Sequence, residues 1–313
     1  MIIAIFIFIF NIILLIYPGT VLAAAREGLL LWFNNVLPSL LPFVIAVNML
    51  IALGFAKFLG VLLAPIMNHI FNLPGTGGFA LVTGFTSGYP MGAKTIADLQ
   101  KSGQLSTSES QHLLAFCNNA GPLFVIGVVG VGLFNSSQIG YILWATHVVS
   151  ALILGLLLRK KTLTPKKGTS LTDAWNTFKN TQNTQIGSVL GDAVKNAMES
   201  MVFIGGLIIL FNVIVAIFES LLHLNPSVYS GVLAGMAEVT GGVRRLSLFE
   251  TNVATLGAAA FVIGFGGFSI HAQTFHFVRG TGVRVVPYLV AKVLHGVIAA
   301  GVTVIFWGLY LGG

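Results

Sequence analysis

The sequence predicts an all-α, polytopic transmembrane protein built from two structural repeats in an inverted relation, each containing broken or re-entrant helices. Three observations lead there. Of the 313 residues, 56% are hydrophobic and only 8% charged, and mean hydropathy is +0.92, whereas about 25% of the residues in a soluble domain are charged. Apolar runs such as Ile2 to Tyr17, Ser150 to Leu158 and Met201 to Ile217 recur along the chain; they lack the short alternation of a membrane β-barrel and match the roughly 20-residue need of a spanning helix. Several runs are interrupted by glycine, proline and polar residues at corresponding places in the two halves.

In chain order, residues 1–28 are expected to form an N-terminal transmembrane helix. Val21 to Ala25 has the small residues of a cleavage site, but no basic residue precedes the apolar run, so a retained helix is the expectation. Residues 29–158 form the first membrane repeat, 159–185 a polar loop and 186–313 the second repeat. The loop gathers Arg159, Lys160, Lys161, Lys166, Lys167 and Lys179 around a lone Asp173, which places it in the cytoplasm by the positive-inside rule, with lipid binding as the other use of such charge. This topology signal accounts for the net charge of +7 without nucleic acid as a partner. A single cysteine, Cys117, excludes an intramolecular disulfide.

Three landmarks recur in the same order on either side of the loop. Asn35 to Phe43 answers Asn196 to Phe203, with Ser39 and Ser200 in matching places. Gly84 to Gly92 answers Gly235 to Gly242, and Asn118 to Pro122 answers Gly264 to His271. In hydrocarbon every peptide group must be satisfied internally, so interrupted segments mark protein-lined cavities, or else close helix packing. Repeated Gly/Pro interruptions also point to the binding site of a secondary transporter.

The first interruption is Thr86-Ser-Gly-Tyr-Pro-Met-Gly-Ala-Lys94. Pro90 suits a helix start, Thr86 and Ser87 can cap it, and the free amides with Lys94 one turn in would attract a carboxylate. Alternatively Lys94 pairs with Asp98 at i,i+4. Glu238, beside Thr240, is an ionisable group in an apolar segment and so a functional candidate for coupling or gating; a salt bridge to Arg244 or Arg245 is the competing reading. Asn118 and Asn119 offer amides to a planar polar ligand or to a neighbouring helix. Ser269, His271 and Gln273 form a similar cluster, and the five-residue spacing of His271 and His276 is not that of a metal-binding pair. No metal, cofactor or catalytic motif is expected. The reading is of a transporter or facilitator for a small polar, anionic solute, with Ser87, Gly88, Lys94, Asn118, Asn119, Ser269, His271 and Gln273 lining its site. A nucleoside or other small-solute permease and a non-transporting gate or assembly subunit are the alternatives. The lipid bilayer and a small molecule are the expected partners, and a homo-oligomer is left open.

Trp32 to Phe43, Ser87 to Lys94, Asn118 to Phe124 and Gly266 to Gln273 resemble the sporulation integral membrane protein YlbJ (SpoVV) family, part of the nucleoside-recognition, or Gate, domain group related in fold to concentrative nucleoside transporters. The resemblance spans nearly the whole chain and makes both repeats Gate-like. It implies a multi-pass protein of the bacterial cytoplasmic membrane with paired broken helices and, in spore formers, movement of dipicolinic acid across the outer forespore membrane.

Overall fold

A computed structural model describes residues 2–159, 175, 186–223 and 225–311. The charged loop residues Lys160, Lys161, Lys166, Lys167, Asp173 and Lys179, and the side chain of Ser39, lie outside the described residues. Within them every regular element is helical. Helix α1 (Ile2–Ile16) turns by 101° into α2 (Pro18–Leu31), at a proline that donates no hydrogen bond to the preceding turn. A π-helical turn, Trp32–Val36, leads from α2 into α3 (Leu37–Ala52). Pro38 leaves the Asn34 carbonyl without its usual donor, and Leu37 N–H reaches back to Trp32 instead, a widening that lets the helix continue. Then come α4 (Phe55–Ile66), α5 (Gly77–Thr86), α6 (Met91–Lys101), α7 (Thr107–Cys117), the π-helix Leu123–Leu133 and α8 (Ser137–Leu157). The second half has α9 (Ile186–Leu222), α10 (Val228–Ala237), α11 (Val239–Ser247), α12 (Val253–Phe265), α13 (Gly267–Phe277) and α14 (Val285–Leu311).

Among the described residues, four helices are long and apolar enough to cross a membrane, or five if the bent α1–α2 pair is one span. Leu15, Leu22, Leu157, Val286 and Ile305 stay exposed, a surface suited to lipid rather than water. The chain is an integral membrane protein. On each side of the loop the order is the same: a hairpin (α5/α6, then α10/α11), an interrupted helix (α7 with the π-helix, then α12/α13) and a long helix (α8, then α14).

Helix α9 works as a ruler for these parts. Near its start the Ala193 carbonyl accepts from Asn48 Nδ2 at 3.2 Å, and Asn48 Oδ1 accepts from Lys94 Nζ at 3.0 Å, fixing the level of α6. Near its end Glu219 binds Arg245 of α11. Between them Ile204 and Ile208 face a central cavity. Eleven residues separate Ala193 from Ile204, and eleven separate Ile208 from Glu219, about 16 Å of helix each. From the cavity, α6 therefore runs toward the start of α9 and α11 toward its end. The two hairpins are thereby linked to opposite ends of α9.

Helix starts differ by location. Ser106, Ser136, Ser227 and Asn252 cap α7, α8, α10 and α12 with their own side chains. Of the central starts, Pro90, Pro122 and Gly266 give no side-chain cap, and only Glu238 does.

Candidate functional site

All four interruptions meet around one cavity of about 70 Å³. The first hairpin contributes Ser87, Tyr89 and Pro90, the break after α7 contributes Gly121, the second hairpin contributes Glu238 and Thr240, and α13 contributes Gln273. Asn35 and Thr86 are further polar residues in a wall completed by apolar side chains such as Leu40, Phe43, Ile204, Ile208 and Ile270. The α6, π-helix, α11 and α13 starts all lie at these breaks, so four positive helix ends converge there.

The geometry of the first tip explains what is left for a guest. Gly88 has φ +82°, and a Cβ on it would come within 2.5 Å of the Gly121 nitrogen, so a glycine is needed both for the left-handed turn and for the close approach. The Tyr89 amide donates to the Asn119 carbonyl, tying the tip to the neighbouring break. Thr86 and Ser87 do not cap α6 as the sequence led one to expect. Gly88, Tyr89 and Pro90 intervene before the helix begins, so Thr86 Oγ1 donates to the Val82 carbonyl at 2.8 Å instead. Ser87 Oγ, Tyr89 OH and Gln273 Oε1 are buried with no hydrogen-bond partner among the described residues. Buried polar groups are almost always paired, and three of the unpaired ones belong to residues lining this one cavity.

Glu238 is 3% exposed and caps α11, its carboxylate accepting from Thr240 N at 3.1 Å and Gly241 N at 2.7 Å. Neither nearby arginine pairs with it: Arg245 binds Glu219 and Arg244 binds Glu27.

Of the residues chosen from sequence, Ser87, Glu238, Thr240 and Gln273 line the cavity, and Gly88 shapes its edge. Lys94 turns away to Asp98 and Asn48, both at 3.0 Å, the i,i+4 pair that was its alternative reading. Asn118 accepts from Ala93 N at 3.4 Å and donates to Thr274 Oγ1 and Tyr288 OH at 2.9 and 3.0 Å, so it joins the α6 start to α13 and α14. Asn119 holds the first tip through its carbonyl and donates from its amide to the Phe116 carbonyl at 2.5 Å. Ser269 Oγ accepts from Gln273 Nε2 at 3.4 Å. His271 lies behind the cavity wall, Nδ1 3.3 Å from Tyr288 OH.

Sequence reading passed over a second polar cluster behind Asn118. Lys292, 1% exposed, donates to the Asn118 carbonyl at 3.0 Å and lies 2.9 Å from His295 Nδ1. His295 Nε2 donates to the His147 carbonyl at 3.2 Å, and His147 Nε2 accepts from Ala120 N at 3.0 Å. A lysine inside the final apolar run is the same signal that singled out Glu238, and it would have found Lys292. Tyr89 stood within the first motif but carries its polar atom on a ring that packing alone could explain.

Two hairpins and two interrupted helices around a cavity midway along the longest helix define a class: a polytopic integral membrane protein with paired broken helices. Residues 33–137, which include the first hairpin and the break after α7, match the family described as nucleoside recognition, or Gate. The sporulation integral membrane protein YlbJ of Bacillus subtilis (strain 168) is 35% identical over 322 residues, covering 93% of this chain and 78% of that protein. The chain belongs to the YlbJ family. No solved structure matches it.

Proposed function

We propose that this protein is a transporter or facilitator, acting in sporulation, that carries a small polar, anionic metabolite of the dipicolinate type across the bacterial cytoplasmic membrane, in spore formers the outer forespore membrane. The observation that carries this reading is the meeting of all four helix interruptions at one buried cavity lined by Ser87, Tyr89, Glu238, Thr240 and Gln273. Non-helical backbone at membrane depth is tolerated where it lines such a cavity, and converging helix N-termini favour an anion. The name of the Bacillus relative supports the link to sporulation. The two halves read as inverted copies, so that each hairpin closes the cavity toward one end.

Glu238 then has a defined part. Its carboxylate accepts the Thr240 and Gly241 amides that an incoming carboxylate would otherwise use. Binding of an anion there requires Glu238 to take up a proton or swing away, which couples occupancy to the position of the second hairpin.

The test is uptake of radiolabelled dipicolinate into proteoliposomes, with uridine as competitor. Saturable uptake that uridine leaves unchanged is expected, and Ser87→Ala and Gln273→Ala should each lower it about tenfold, roughly one lost polar contact, without changing the unfolding temperature. Competition by uridine would favour the nucleoside reading that the Gate description raises. Uptake appearing only with a co-expressed protein would make the chain an assembly subunit.

A further inference from the structure

A wide vestibule of about 990 Å³ opens beside the central cavity, between α2, the π-helix and α11. The two are neighbours that share part of a wall, Leu31, Asn35, Leu123, Val128 and Thr240 lining both. Its charged residues are Arg26, Glu27 and Arg244, an excess of one positive charge. A net positive concavity favours anions.

Two adjacent arginines on α11 behave differently. Arg245 holds Glu219 through two bonds of 2.6 Å and also donates to the Gly241 carbonyl at 3.0 Å; its side chain is 33% exposed and that of Glu219 30%. This pair anchors the second hairpin to α9. Arg244 binds Glu27 with side chains 57% and 53% exposed, a setting in which an ion pair contributes little and is readily exchanged. Arg26, one residue away from Glu27, makes no ion pair among the described residues.

We infer that Arg244 and Arg26 form an outer subsite for the carboxylate of the permeant solute, with Glu27 occupying Arg244 until a substrate carboxylate displaces it. The subsite rests on the transport reading above and adds a binding step before the central cavity. A guanidinium presents a planar fork matched to a carboxylate, and Thr240 lines both the vestibule and the cavity. A solute with two carboxylates can leave one on Arg244 while the other enters.

The test is the concentration dependence of dipicolinate uptake in phosphatidylcholine proteoliposomes. Arg244→Gln and Arg26→Gln should each raise KM about fivefold, near 1 kcal/mol, with the maximal rate retained. Glu27→Gln should lower KM by removing the competitor. Arg244→Lys should restore part of the loss, and an unchanged unfolding temperature separates these effects from misfolding. A KM unmoved in Arg244→Gln, with wild-type uptake intact, overturns the subsite and leaves the transport reading standing. An effect seen only in vesicles containing phosphatidylglycerol assigns the arginines to lipid headgroups and overturns it too. A wild-type protein that carries no carboxylate removes both.

Discussion

The tip of the first hairpin is four residues long, Ser87 to Pro90, and is tied through backbone to the break beside it, whereas the tip of the second is Glu238 alone, held by its own carboxylate. The outer ends differ as well. The α6 arm carries the Lys94–Asp98 pair within one helix, while α11 is joined to α9 and α2 by ion pairs between separate helices. At the first tip, hydroxyls remain unpaired because the backbone does the holding. At the second, the group that holds the turn is also the group a charged guest would have to move. On the proposed transport reading, the first hairpin would serve as a wall and the tip of the second, at Glu238, as the part that yields while Arg245 and Glu219 hold its outer end.

The most damaging way to break this comparison is Gly88→Val. The new side chain would sit at φ +82° and against the Gly121 backbone, and neither obstacle can move without undoing the tie to Asn119. Loss of monodisperse protein on size exclusion in detergent is expected; a well-folded variant would show that the first tip is not fixed.

Next in size is Lys292→Met. The first tip's tether continues through Asn119 and Asn118 to Lys292 on α14, a support with no counterpart at Glu238. Stranding a buried acceptor costs about 1–3 kcal/mol, read as a lower unfolding temperature in detergent. Wild-type stability would detach α14 from the wall.

The smallest effect sharpens the other side. Glu238→Ala removes the cap on α11 and should cost about 1–2 kcal/mol, whereas Glu238→Gln keeps an oxygen acceptor and should recover most of it. Measured together by unfolding temperature and by uptake across a pH series, a stable Gln variant with altered pH dependence would place the coupling on the carboxylate. Equal stability in both variants would mean that the tip is held by packing alone.

Much of the architecture was legible because the bilayer punishes exceptions. The polar interruptions at Ser87, Asn118, Glu238 and Gly266 stand out from apolar runs, and each coincides with a break. Ser87, Glu238, Thr240 and Gln273 could be chosen on the same grounds. What sequence could not supply was direction. Lys94 points to Asn48, 46 positions away, and Asn118 to Thr274 and Tyr288, 156 and 170 positions away; such partners exist only once the helices are packed. The same holds for His147 and His295, which face each other only because α8 and α14 lie side by side. The links of the two hairpins to opposite ends of α9 likewise join residues far apart in the chain.

The position of the cavity on α9, with about 16 Å of helix to either clamp, has an electrical consequence. A transmembrane potential acts with about 2.3 kcal/mol per elementary charge per 100 mV over the full thickness. On the proposed transport reading, and with the two clamps taken as the membrane faces, an ion beside Ile204 and Ile208 would have crossed about half of it, and the voltage would bear almost evenly on loading and on release.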